Sequence, residues 1–179
     1  MIPSPRRTAV RTGLAAGLLA VAVALAGCTP GPDPKPSPTP LFTSEADAFK
    51  AAEQVYREYV DALNSRNAGD AGARPQDLLG GKALEFDTNS VRNRKAEGTT
   101  VSGDTRVLSF EGVDSVMRPP TALVRGKVCI DVSETRLLNA GGQDITPADR
   151  KPRVELAIEF AQEKRSLIIT DSQMAADHC

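Results

Sequence analysis

The spacing of apolar residues changes once along this chain, from a helical period to a period of two, and that change limits the fold. Between residues 44 and 97 apolar side chains recur every three or four positions, and from residue 100 they alternate with polar ones. An amphipathic helix has one apolar stripe and a half-buried strand has one apolar face. Both are removed from water when the helix packs on the sheet. We therefore predict an α+β domain with one or two N-terminal helices on an antiparallel sheet of four to five strands.

The first helix is the clearest of the predicted elements. Ser44 is a candidate N-cap, Asp47 completes a capping-box-like pair, and the polar run Asn64–Gly69 ends the helix. Its predicted apolar stripe consists of Phe49, Ala52, Tyr56, Tyr59, Val60 and Leu63.

The segment after this helix predicts shorter elements. Pro75 suits the first turn of a short helix over Gln76–Leu79, and Lys82–Glu97 is predicted as a second helix that Gly98 ends. The second helix has a thin apolar stripe of Leu84, Phe86 and Val91 and a basic cluster of Arg92, Arg94 and Lys95. We interpret the cluster as a solvated face, with an anion site as the alternative.

The alternating half predicts the sheet. Its strands are expected at Val101, Thr105–Phe110 with an extension through Val113–Met117, Ala122–Val132, Val154–Phe160 and Ser166–Met174. We expect the helical stripe to lie on one sheet face with a packed or nearly packed core. That face is predicted to consist of Val124, Val128, Ile130, Leu156, Ile158 and Phe160.

Residues 1–27 are typical of a lipoprotein signal peptide. Three arginines precede an uncharged apolar run that closes on Leu25-Ala26-Gly27-Cys28, which reads as a lipobox with Cys28 as the lipidated residue. Acyl chains such as palmitate on Cys28 would place the protein on the extracytoplasmic face of the cell membrane. The alternative is an ordinary signal peptide cut after Ala26, which leaves Cys28 as an odd thiol.

Residues 28–42 are predicted to be a linker, and residues 43–179 a single α+β domain. Six prolines fall within residues 28–40, and alternating proline favours an extended polyproline-like chain. At about 3.1 Å per residue this segment spans roughly 40 Å. We interpret it as a spacer between the lipid surface and the domain.

Charge and aromatic content exclude some classes of partner. The leader holds three of the 22 basic residues and none of the 23 acidic ones, so the mature chain carries a formal charge of −4. That balance argues against nucleic acid and against a polybasic membrane patch. With two Tyr, five Phe and no Trp, the chain is also poor in residues that stack on sugars or bases.

Two cysteines remain once Cys28 is assigned to lipid. Cys129 and Cys179 predict a disulfide in an oxidising compartment, and closing about 50 residues contributes about 4 kcal/mol in the chain-entropy model. The competing hypothesis is a metal site of Cys129, His178 and Cys179. Adjacent His178 and Cys179 cannot easily both reach one tetrahedral ion, so we predict no metal and no cofactor.

Catalytic candidates are few. His178, the single histidine, is the penultimate residue and is poorly placed for a triad. Asp131 is a weak candidate general base, because an acid held in a cavity between helix and sheet would have a raised pKa, and a surface salt bridge is its alternative. Glu155 and Glu159 share one side of a strand and fit a solvent face with Arg153.

The chain resembles small secreted actinobacterial lipoproteins with an NTF2-like (cystatin-like) domain. The segments that carry this resemblance are the lipobox, the segment Val55–Asn64, the strand Val128–Val132 and the terminal Cys179. The resemblance implies a long helix on a curved sheet around a cone-shaped pocket. Some members of that superfamily are isomerases or cyclases with an Asp or His acid/base, and many others are non-catalytic. The matching segments carry no catalytic residue over to this chain.

Two functions follow as hypotheses. The first is a membrane-anchored, non-catalytic binding or interaction module of the cell envelope, whose partner is an envelope protein or a small apolar ligand. The alternative is an NTF2-like enzyme of the isomerase/cyclase type that uses Asp131 on a small apolar ligand. The lack of a central histidine and the scarcity of tyrosine favour the first hypothesis.

Overall fold

The computed structural model describes residues Thr39–Cys179, and the lipobox Leu25–Cys28 lies outside this described part. Two α-helices and six strands follow one another in an α+β arrangement. Within the described residues no helix is long and apolar enough to cross a membrane. The elements are α1 (Glu45–Asn67), a short 3₁₀ helix (Pro75–Leu78), α2 (Gly81–Glu97), β1 (Thr100–Ser102), β2 (Arg106–Arg118), β3 (Thr121–Asp131), β4 (Arg136–Leu138), β5 (Arg153–Glu163) and β6 (Ser166–Ala176).

Helix α1 begins where the capping pair predicts. Ser44 is the N-cap, its Oγ accepts a hydrogen bond from the Asp47 N–H at 3.1 Å, and it donates to Asp47 Oδ2 at 2.7 Å. These bonds satisfy one of the N–H groups that a helix start leaves open. The buried positions Ala48, Ala52, Tyr56 and Val60 follow at intervals of four residues, so α1 presents one apolar stripe as predicted.

Helix α2 is fixed at both ends by backbone contacts. Just before it, Leu79 bridges to Ile169 and the Gly80 N–H donates to the Ile169 carbonyl at 2.8 Å, so α2 starts from the free edge of β6. At the other end Gly98 adopts the left-handed conformation (φ 66°) that a helix C-terminus favours in glycine. The predicted start at Lys82 and end at Gly98 are thus confirmed to within one residue.

The main sheet is antiparallel throughout, with strand order β2-β3-β5-β6. Strand β3 pairs Val124 with Phe160 of β5 and Val128 with Leu156, so the predicted apolar face is one continuous layer. Val124, Val128 and Phe160 are fully buried under the helices. The prediction of four to five strands is confirmed for the principal sheet.

A second, small sheet was not predicted. Strand β4 lies in the segment between the predicted strands Ala122–Val132 and Val154–Phe160, and it pairs antiparallel with β1, with Val101 opposite Leu137. A three-residue strand is too short to show a period of two. Its pairing partner lies more than thirty positions away, and this long-range contact stabilises it.

Close packing of α1 against β2 depends on one glycine. A Cβ added at Gly112 would lie 2.3 Å from Phe49 Cγ, so the ring of Phe49 occupies the space that a side chain at position 112 would need. The backbone of Gly112 is not in the left-handed region. This glycine therefore serves close approach and not turn formation.

The disulfide is confirmed. Cys129 on β3 is bonded to Cys179, with a Cα–Cα distance of 5.9 Å. Cys129 lies on the outer face of the sheet, away from the helices, between the charged residues Lys127 and Asp131. The disulfide therefore links the segment after β6 to β3, which is separated from β6 by β5 in the sheet.

Candidate functional site

A cavity of about 700 Å³ lies between the two helices and one end of the sheet. The core around Val124 and Phe160 is packed as expected, but the expectation is corrected at one end of the sheet, where Ile130 of β3 and Leu156 of β5 line this cavity. Cavities of this volume are in the range that holds small ligands. Its apolar wall includes Tyr56, Val60, Leu63, Leu79, Ile130, Leu156 and Ile169.

One face of α2 forms the polar wall of the cavity. Ala83, Asp87, Ser90 and Arg94 follow at intervals of three or four residues, so their side chains share one helix face. The predicted stripe of α2 is wrong in part, since Phe86 is 76% exposed and Val91 is 39% exposed. Polar residues at helical spacing would have been the sequence signal for this wall, but the same spacing is common on solvent-facing helices.

Asp87 is the buried acid of the cavity, and it is held by an arginine of α1. Arg66 Nη1 donates to Asp87 Oδ2 at 2.8 Å, and Nη2 donates to Oδ1 at 2.6 Å. The side chains of Arg66 and Asp87 are 21% and 11% exposed, and the hydrogen bonds that Arg66 donates to Asp87 raise the pKa of Arg66. Arg66 therefore engages both carboxylate oxygens of Asp87 in a bidentate pair. Sequence reasoning did not single out either residue.

Tyr56 and Tyr59 of α1 line the same cavity, with ring centroids 6.0 Å apart. Burial is the main cause that raises the pKa of both phenols, and the negative charge of Asp87 adds to the effect at Tyr59. Both side chains therefore stay neutral and can donate a hydrogen bond at physiological pH.

The rim of the cavity carries one further ion pair and two exposed apolar side chains. Lys82 Nζ of α2 lies 3.3 Å from Asp171 Oδ2 of β6. Phe86 and Met174, which are 76% and 67% exposed, project from α2 and β6. Exposed apolar side chains at the mouth of an apolar cavity are typical of a ligand entrance.

The basic cluster on α2 divides between solvent and cavity. Arg94 is half-buried and lines the cavity. Arg92 is exposed and donates to Asn89 Oδ1 at 3.1 Å, and Lys95 is exposed. The solvated face predicted for the cluster thus describes Arg92 and Lys95 but not Arg94.

Asp131 lies at the end of β3 and is not among the residues that line the cavity. Its Oδ1 accepts the Ser133 N–H at 2.9 Å, and Oδ2 lies 3.3 Å from Arg153 Nε. The hydrogen bonds from Ser133, with a smaller contribution from Arg153, lower the pKa of Asp131. A general base in an apolar cavity needs a raised pKa, so these contacts match the salt-bridge alternative.

The remaining charged candidates lie on the outer face of the sheet. Arg125 pairs with Glu159 at 3.0 Å, and Lys127 pairs with Glu155 at 3.1 Å. The His178 side chain is 86% exposed, and its hydrogen-bond partner among the described residues is its neighbour Asp177. In the part of the chain that the structure covers, no cluster of His, Cys, Asp and Glu has the grouping of a metal site.

No protein family model matches this chain, and no curated protein matches it. Among solved structures, it is similar to the intermembrane space region of the chloroplast protein ARC6, with 15% identity and a TM-score of 0.51. That match covers 72% of this chain and 96% of the other. At this identity the similarity concerns the fold alone. The chain therefore shares an α+β arrangement with that region.

Proposed function

We propose that this protein is a lipid-anchored, non-catalytic binding module of the cell envelope, with an NTF2-like domain that holds a small ligand between its helices and sheet. The observation that carries the proposal is the cavity of about 700 Å³, whose wall combines apolar side chains with a few polar ones. That composition is typical of sites for small organic molecules. The lipobox and proline-rich linker support a location on the extracytoplasmic face of the membrane.

The charged groups favour binding over catalysis. Asp87 in the cavity is engaged through both oxygens by Arg66, and Asp131 is bound by Ser133 and Arg153 outside the cavity. A general acid or base must be within reach of the substrate and free to exchange a proton. Among the described residues neither acid meets both conditions, so the isomerase/cyclase alternative gains no support from Asp131.

The test is binding of the neutral fluorophore N-phenyl-1-naphthylamine to the full-length chain. Ser90→Trp places a large side chain in the cavity, and Asn93→Trp is the matched control because Asn93 is an exposed residue of the same helix. We expect the fluorophore to bind the wild type and Asn93→Trp, and to lose binding to Ser90→Trp. Circular dichroism and the melting temperature check that both variants are folded.

Two results would contradict the proposal. One is no binding to the wild type, or equal binding to both tryptophan variants, since either would mean that the cavity is not a ligand site. The other is turnover of a bound apolar compound that depends on Asp131 or Asp87, which would make the protein an enzyme.

A further inference from the structure

The charged groups around the cavity leave one cation without a partner. The carboxylate of Asp87 is held by Arg66, and that of Asp171 by Lys82, by the Ser172 N–H and by Gln173. Arg94 has no carboxylate within 4.0 Å and no side-chain hydrogen bond among residues Thr39–Cys179. The cavity wall therefore carries one positive charge more than its own acids neutralise.

Two hydroxyl groups of the cavity wall also lack a hydrogen-bond partner among the described residues. Tyr56 is 3% exposed, yet neither its hydroxyl nor that of Tyr59 makes a hydrogen bond within the described part of the chain. Thr99 Oγ1 is the one side-chain nitrogen or oxygen there that is both unpartnered and fully enclosed by the protein, so the Tyr56 hydroxyl is not sealed off. The Tyr56 side chain lines the cavity. Phenols that line the cavity without a partner in the protein are available to donate to the hydrogen-bond acceptors of a ligand.

The apolar part of the wall sets the other requirement for the ligand. Val60, Leu156 and Ile169 come from α1, β5 and β6 and converge on one space, and Phe86 and Met174 extend the apolar surface to the mouth. A ligand that covers these side chains gains from removing apolar area from water. An ion without an apolar part would leave these apolar side chains in contact with water.

We propose that the cavity takes a small amphipathic monoanion, in which one acid group pairs with Arg94 and one apolar body lies between α1 and the sheet. This inference rests on the proposed function and names its ligand class. Arginine is suited to the role because its planar guanidinium binds a carboxylate, sulfonate or phosphate through two parallel hydrogen bonds. Arg66 is less suited to it, because its positive charge is already paired with the Asp87 carboxylate through both terminal nitrogens.

The experiment compares two fluorophores that differ in one acid group. 1-Anilinonaphthalene-8-sulfonate is N-phenyl-1-naphthylamine with a sulfonate added, so the two probes report the anion separately from the apolar body. Dissociation constants are measured for the full-length wild type, for Arg94→Gln and for Arg92→Gln. Arg92 is the control because it lies on the same helix but is exposed and bonds to Asn89.

We expect the wild type to bind the sulfonate more tightly than the neutral probe. Arg94→Gln is expected to raise the dissociation constant for the sulfonate at least about tenfold, because the charge-assisted pairing with the guanidinium is lost, and to leave the constant for the neutral probe unchanged. Arg92→Gln should change neither constant. Equal affinity of the wild type for both probes, or equal effects of the two substitutions, would overturn the inference while the proposed function stands. Failure of both probes to bind would overturn the proposed function itself.

Displacement of the bound sulfonate identifies the source of the anion. Decanoate represents a free organic acid, short-chain phosphatidylglycerol a lipid headgroup, and 1-decanol the same apolar chain without charge. Displacement by decanoate or by the phosphatidylglycerol, but not by 1-decanol, supports the monoanion and names its source. Displacement by 1-decanol at the same concentration, or by none of the three, contradicts it.

Discussion

At the scale of single residues, Asp87 is the side chain whose removal has the clearest expected cost. Asp87→Ala leaves Arg66 charged in the cavity wall without its carboxylate, and we expect the free energy of unfolding to fall by about 3 kcal/mol. Urea unfolding measures this change. The control is Glu53→Ala, which removes an exposed pair with Arg57 and should cost about 0.5 kcal/mol. A loss at Asp87 no larger than that at Glu53 would be inconsistent with a buried pair.

Tyr56 gives the protein a predictable response to alkaline pH. Burial raises the pKa of its phenol above that of the unfolded chain, so the folded state keeps its proton more tightly. The resulting stability is complete below about pH 10 and is lost as the pH rises further, because the unfolded phenol then ionises first.

Tyr56→Phe separates this effect from the titration of other groups. Between about pH 8 and about pH 11, the free energy of unfolding of the wild type should fall by more than that of Tyr56→Phe. Lysines titrate in both proteins and cancel in the comparison. The same decrease in both proteins would show that the phenol is not desolvated.

At the scale of elements, the distance between α1 and β2 depends on the absence of a side chain at position 112. Gly112→Ala places a methyl group 2.3 Å from Phe49 Cγ, and overpacking of this kind costs about 1–3 kcal/mol of unfolding free energy. In a Phe49→Ala background the same substitution should cost much less, because the obstructing ring is gone. A double-mutant cycle of unfolding free energies, obtained from urea titrations, measures the coupling between positions 49 and 112. Additive losses of free energy would contradict the predicted coupling.

The disulfide between Cys129 and Cys179 attaches the end of the chain to strand β3. Reduction or Cys179→Ser is expected to lower the free energy of unfolding by about 2–5 kcal/mol, because the unfolded chain is released from a loop of 50 residues. Peptide mapping without reductant should find one linked pair. Two free thiols in secreted protein would contradict the pairing.

At the scale of the whole molecule, the prediction concerns attachment to the membrane. The lipobox predicts that the mature chain begins at Cys28 and partitions with membranes, since two acyl chains give lasting attachment where one is marginal. Cys28→Ala should move the protein to the aqueous phase in detergent partitioning, and intact mass should show the loss of the acyl groups. Release of the wild-type chain without lipid would contradict this prediction.

The ends and inner faces of most elements were predictable because they depend on neighbours in sequence. Ser44 and Asp47 cap α1, Gly98 ends α2, and the alternation from Ala122 onward places Val124 and Val128 on the inner face of β3. Each of these signals depends on a few adjacent residues or on the period of side chains that every helix or strand has. The disulfide also followed from the sequence, since two cysteines remain once Cys28 is set aside.

The cavity was decided by tertiary structure alone. Leu79 and Gly80 attach the start of α2 to the edge of β6, and this attachment turns Asp87 and Arg94 inward while Phe86 is left at the mouth. Periodicity describes which residues of a helix share a face but not which way that face is turned, because rotation about the helix axis is set by partners far away in the chain. For the same reason the sequence determined the order of the main elements and the apolar faces of α1 and the long strands, whereas the docking of α2 determined where the space for a ligand remains.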